Sequence, residues 1–133
     1  MNIKSTAILF AFTLSSFANY CYAQNTPLLE YVAQYEASAN GLAATATRSL
    51  SRIDENSYHL SNSLEASIAG QALANLEQAS EFNIDGTRVV PLNYSYQLSG
   101  ASRASHAIFF NWDAEVALST EGDESWQLQL NAE

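Results

Sequence analysis

Leu92-Asn93-Tyr94-Ser95-Tyr96-Gln97-Leu98-Ser99 is an unbroken alternation of apolar and polar side chains. In an extended strand successive side chains point to opposite faces, so Leu92, Tyr94, Tyr96 and Leu98 share one face and the four polar residues share the other. A helix would scatter both sets around its circumference. The same period recurs on either side. Tyr58, Leu60, Leu64, Ala66 and Ile68 alternate with His59, Ser61, Ser63, Glu65 and Ser67. Leu29, Tyr31, Ala33 and Tyr35 alternate with Glu30, Gln34 and Glu36, broken only by Val32. Trp126, Leu128 and Leu130 alternate with Gln127, Gln129 and Asn131. Each stretch predicts a strand with one dry and one wet face.

Turn signals separate these stretches. The five glycines fall at Asn40-Gly41, Ala69-Gly70, Asp85-Gly86, Ser99-Gly100 and Glu121-Gly122-Asp123, and Asp54-Glu55-Asn56-Ser57 marks a further turn. Long strands joined by short connections predict an all-β fold: an antiparallel meander forming a curved sheet or half-barrel. An immunoglobulin-like sandwich would show shorter, more closely punctuated strands. Two places depart from the pattern. Leu64, Ile68, Leu73 and Leu76 stand at near-helical spacing in an alanine-rich stretch, which admits one short helix over residues 71–78. Pro91 cannot donate to a ladder, so a bulge or strand start is expected there. An outer-membrane barrel is disfavoured because neither face of residues 41–53 stays apolar: one carries Arg48 and Arg52, the other Thr45, Thr47, Ser49 and Ser51.

The start of the chain has the three parts of a secretory signal: Lys4, an apolar run of 11 residues from Ala7 to Phe17, and Cys21-Tyr22-Ala23. A bilayer span needs about 20 residues, so the run is too short for a permanent anchor. Residues 1–23 are therefore read as a signal peptide cleaved between Ala23 and Gln24, and residues 24–133 as one exported, periplasmic domain. Bulky Tyr20 argues against lipidation of Cys21, the single cysteine, which leaves with the signal. At the other end Trp126, Leu128, Leu130 and Ala132 run to Glu133 without a turn, which predicts a domain incomplete at its C-terminus.

Removing 23 of the 133 residues leaves 110, enough for one domain. Four arginines then face 14 acids, a net charge of −10. Such a surface repels phosphate backbones and anionic lipid heads, which excludes nucleic-acid binding. No nucleophile motif, cofactor fingerprint or metal-ligand spacing is present, and Glu121, Asp123 and Glu124 read as a solvated hairpin tip. His59 and His106 are the general-base candidates near neutral pH. His59 reads as exposed on a polar face, and His106 as a half-buried residue bonded to backbone, with Asp113 nearby in sequence.

Residues 104–112 stand apart. His106, Ile108, Phe110 and Trp112 point one way and Ala107 and Phe109 the other, so both faces are partly apolar. Such a strand is expected to be buried on both sides, or to face a core on one side and a cavity on the other. His106, Phe109, Phe110 and Trp112 are accordingly the candidate ligand-binding residues.

Several blocks together resemble a known family. Tyr35 with Gly41-Leu42-Ala43, Tyr58-His59-Leu60, Ser80-Glu81-Phe82 with Asp85-Gly86, Pro91-Leu92-Asn93-Tyr94-Ser95-Tyr96 and Ile108-Phe109-Phe110-Asn111-Trp112-Asp113 look like the exported bacterial domain-of-unknown-function family 3108. The most specific blocks are P-x-x-Y-x-Y and F-x-W-D. The resemblance covers residues 28–133 and implies a Gram-negative envelope location, a long curved antiparallel sheet and a C-terminal continuation. It supplies no catalytic residues.

The functional expectation is a non-enzymatic binding or envelope-maintenance protein that holds an apolar small molecule or an envelope protein, with no cofactor, no metal and no stable membrane span. The alternatives are a hydrolase-like enzyme using His106 with an acid, and a purely structural domain that pairs through its sheet edge.

Overall fold

The computed structural model describes residues 27–130. The signal segment with its Ala23/Gln24 cleavage site, and the continuation of the last strand to Ala132, lie outside the described residues. Within them the chain forms eight strands: β1 (Tyr31–Ala39), β2 (Leu42–Arg52), β3 (Ser57–Ile68), β4 (Gln71–Asp85), β5 (Arg88–Gly100), β6 (Ala104–Asn111), β7 (Val116–Glu121) and β8 (Glu124–Gln129). They pair antiparallel in strict sequence order, and β1 and β8 remain as edges, so the sheet is an open meander and does not close into a barrel.

Residues 71–78 belong to β4, so no helix forms there. An extra residue explains the helical spacing. Ala66 faces Ala74 and Ser67 faces Ala72, which leaves Leu73 unpaired as a bulge and shifts the alternation by one. The irregularity expected at Pro91 is present: Phe82 faces Pro91 and Glu81 faces Asn93, with Leu92 as the extra residue.

Four hairpins turn in two residues, which demands positive φ at the turn. Asn40 and Gly41 take φ of 51° and 81°, and Ala69 and Gly70 take 49° and 78°. Between β6 and β7 the turn runs through Trp112 to Glu115, a place with no glycine, where Glu115 adopts φ 54°.

Residues directly opposite in the ladder share a face, so the register defines two surfaces. One, the apolar face, is crossed by the row Tyr31, Leu50, Leu60, Ser80, Tyr94, Ile108, Ser119 and Trp126. The other, the polar face, is rich in serine, threonine, glutamine and glutamate. The fully buried apolar residues among those described are Leu50, Tyr58 and Ala117, all on the apolar face. Large side chains of that same face stay open to solvent: Tyr35, Leu42, Leu64, Ile68, Trp126 and Leu128. The sheet is a single layer, and among the described residues only the segment before β1 reaches over one end of its apolar face, where Leu28 N–H donates to the Tyr58 hydroxyl.

Candidate functional site

β6 carries three of the four residues expected to bind ligand, Trp112 follows it, and the structure divides them. His106, Ile108 and Phe110 lie half-buried on the apolar face, with Trp112 just beyond the strand end. Phe109 lies on the polar face and is 57% exposed. The expectation that β6 is buried on both sides is therefore corrected, while Ala107 on that second face borders a hollow that Phe109 does not line. A one-layer sheet has no second core, and Phe109 projects freely between Asn93 and Leu118 on the neighbouring strands.

The apolar-face members form two aromatic groups. The His106 ring meets Tyr94 edge-on, with centroids 6.2 Å apart, and stacks on Trp126 at 6.4 Å. Its Nε2 shares a hydrogen with Ser119 Oγ at 2.8 Å. Its partner is thus a side chain, not the backbone expected from the sequence. Phe110 stacks on Trp112 at 6.0 Å with nearly parallel rings, and Trp112 Nε1 donates to the Pro91 carbonyl at 2.7 Å. That bond ties the turn after β6 to the bulge in β5, which accounts for the placement of both conspicuous sequence blocks side by side.

The pairing of His106 with Ser119 invites comparison with a nucleophile and its base, which need a reachable hydroxyl and a third group to orient the imidazole. Ser119 is 2% exposed. Among the described residues no carboxylate lies within ion-pair distance of His106. Asp113 sits in the turn beyond the far end of β6. The arrangement packs and orients an imidazole rather than exposing a nucleophile.

Below the middle of the apolar face a hollow of about 380 Å³ is bounded by Tyr35, Ala46, Arg48, Leu64, Leu76 and Gln78. Leucine and tyrosine line one side, and the Arg48 guanidinium with the Asn62 and Gln78 amides the other, with Thr47 and Ser63 between, a mixture suited to an apolar body with a polar end.

The polar face holds a feature that strand-by-strand reading misses. Ser49, Ser61, Ala79, Ser95, Ala107, Thr120 and Ser125 stand directly opposite one another across seven strands. Their small side chains leave a hollow of about 460 Å³ between taller neighbours. Glu77 and Gln97 stand along one side of it; in the row on the far side of the small residues Glu81 receives Asn93 Nδ2 at 2.7 Å and lies 3.5 Å from His59 Nδ1. His59, read as exposed, is half-buried through this contact. Only the register could reveal the row, because each serine alone is an ordinary wet-face residue.

Among the described residues no group of three or more histidine, cysteine, aspartate or glutamate side chains is placed to hold a metal ion. Glu121 and Glu124 flank the β7–β8 turn, as a hairpin tip should. No helix of the described residues is long and apolar enough to cross a membrane. Comparison of the chain with family models, with curated proteins and with solved structures gave no match.

Proposed function

We propose that the chain is an exported, non-enzymatic binding or envelope-maintenance protein of the bacterial periplasm, and that it works through the apolar face of its sheet. One observation carries this reading: an eight-stranded sheet presents Tyr35, Leu42, Leu64, Ile68, Trp126 and Leu128 on a single face with no second layer over them. Contiguous exposed apolar surface of this kind marks a binding surface. The N-terminal charge, apolar run and small-residue cleavage site support export, and the likeness to the exported envelope family supports the periplasm. The occupant of the face is an apolar small molecule or an apolar surface of a protein. The buried Ser119 hydroxyl and the missing third group around His106 favour this reading over a hydrolase.

Purification of the exported protein from periplasm under gentle conditions, with mass spectrometry of everything that co-purifies, tests the proposal. The expected result is a mature chain starting at Gln24 that carries an apolar lipid or a protein, lost when Leu64 or Leu128 is replaced by serine. Material that carries nothing, takes up no apolar fluorescent probe and stays monomeric would overturn it.

A further inference from the structure

The apolar face is not uniformly apolar, and the exception has a direction. One row crossing it reads Ala33, Arg48, Asn62, Gln78, Tyr96, His106, Glu121 and Glu124 from β1 to β8. Its cation stands at the β2 end, neutral amides occupy the middle, and two carboxylates close the β7–β8 end. Apolar rows lie on both sides of it: Tyr35, Ala46, Leu64, Leu76 and Leu98 on one, Leu50, Leu60, Tyr94, Ile108 and Trp126 on the other.

Neither end of this row forms an ion pair among the described residues. Arg48 Nε donates to the Tyr31 hydroxyl at 2.9 Å and meets no carboxylate. Glu121 and Glu124 face each other directly across the ladder, a like-charge pair that costs stability; no ion pair reaches it among the described residues, although His106 faces Glu121 and Arg103 lines one hollow with Gly122 of the turn. Five strand spacings separate β2 from β7, about 24 Å, well beyond the roughly 8 Å over which exposed charges interact at physiological salt. The second arginine of the face, Arg52, is already held by the carbonyls of Asp54 and Glu55. The other strand glutamates, Glu36, Glu65, Glu77 and Glu81, lie on the polar face.

Resting on the reading of this face as the binding surface, we propose that its occupant is a second copy of the chain, stacked face to face about a two-fold axis parallel to the strands. That axis, passing between β4 and β5, carries β1 over the partner's β8, β2 over its β7, β3 over its β6 and β4 over its β5. Rows keep their level. Arg48 therefore meets the Glu121 and Glu124 pair of the second copy at both ends of the interface, Asn62 meets His106, and Gln78 meets Tyr96. In the row from Tyr31 to Trp126, Tyr31 meets Trp126 and Leu60 meets Ile108, while Leu50 meets Ser119 and Ser80 meets Tyr94; in the other flanking row Leu76 meets Leu98. A two-fold axis running across the strands would instead place β2 on β2 and Arg48 on Arg48. Charge thus selects one of the two in-plane symmetric stackings. The area suffices. Seven spacings by strands averaging ten residues give a face of about 1,100 Å², so two copies bury about 2,200 Å², within the range of stable interfaces. Sheets stack about 10 Å apart in aligned sandwiches, a gap that an arginine and a glutamate span together.

Sedimentation equilibrium of the mature exported protein, with a charge-swap series, tests the arrangement. The wild-type chain should be a dimer at micromolar concentration, weakened by salt. Arg48→Glu alone, and Glu121→Arg with Glu124→Arg, should each weaken dimerisation by about tenfold or more while circular dichroism stays unchanged, because all three side chains are exposed. Mixing the two variants should restore a tight heterodimer, as should combining all three substitutions in one chain. A dimer without rescue on mixing would overturn the proposed axis. A monomer would overturn the proposal, and two monomer outcomes differ: one that takes up an apolar fluorescent probe, lost with Leu64→Ser, keeps the binding face with another occupant. One that takes up none ends both readings.

Discussion

Tyr58 is the best-buried large side chain in the sheet, and its environment explains why a tyrosine stands where a phenylalanine would also fit the alternation. At 2% exposure its ring stacks on Phe82 with centroids 5.7 Å apart, and its hydroxyl accepts the Leu28 N–H at 3.1 Å, drawing the segment before β1 over one end of the apolar face. Tyr58→Phe should cost about 1 kcal/mol by leaving that N–H without its partner. Tyr58→Ala should cost about 3–5 kcal/mol, since the ring goes too. Urea titration of both variants separates the two contributions. Asp54 acts through charge rather than burial. Its carboxylate accepts the N–H groups of Asn56 at 3.1 Å and Ser57 at 3.0 Å, which closes the β2–β3 turn. The Asn56 bond chiefly, with Ser57 adding to it, holds the carboxyl below its usual range. A group that ionises more easily folded than unfolded stabilises above its unfolded range and loses that contribution as pH falls through its folded range. Asp54→Asn should therefore lower the melting temperature by a few degrees at neutral pH, with the difference from wild type vanishing well below the carboxylate range. Paired thermal melts across acid pH check the sign.

At the scale of elements, the β4 bulge and the end of β5 depend on each other. The extra residue Leu73 brings its carbonyl to the Ala101 N–H at 2.9 Å, and Gly100 passes beneath with φ 114°. A Cβ at Gly100 would run into the Leu73 carbonyl oxygen and stand 2.8 Å from Ala74 Cα, both of them backbone that cannot step aside. Gly100→Ala should cost about 2–4 kcal/mol from strain and crowding together. Gly41, whose Cβ direction is empty, should pay only for its positive φ, about 1 kcal/mol or slightly more. Denaturant midpoints of the two variants compare a crowded glycine with an uncrowded one. β6 gives the opposite lesson about apparent importance. Phe109 belongs to the most apolar stretch of the mature sequence, yet it is exposed, so Phe109→Ala should cost no more than about 1 kcal/mol. A loss of several kcal/mol would mean that a second layer covers the polar face.

At the scale of the molecule, among the described residues every strand touches only its neighbours in sequence, so no inter-layer packing couples distant strands there. Stability then accumulates by neighbouring pairs, as in repeat proteins, and local opening starts at the margins. At concentrations where the chain is monomeric, amide exchange should be slowest in β3, β4 and β5, the three longest strands, and should quicken stepwise toward β1 and β8. Uniform protection would show a cooperativity that this topology does not supply. Seen at this scale, the division between sequence and tertiary structure is sharp. Period-two alternation and glycine turns determine strands, hairpins and sheet order by themselves, because a hairpin's register follows from its turn and its dry face from its own residues. The Pro91 irregularity is legible for the same local reason. Residues 71–78 are misleading, since one bulged residue imitates a helical period until the partner strand is present. Nothing local fixes what lines up across eight strands: the serine row, the bond from His106 to Ser119, and the polarity of the row from Arg48 to Glu124 exist only through cumulative register. Each strand's sequence chooses a face for its side chains, and the neighbours choose what that face meets.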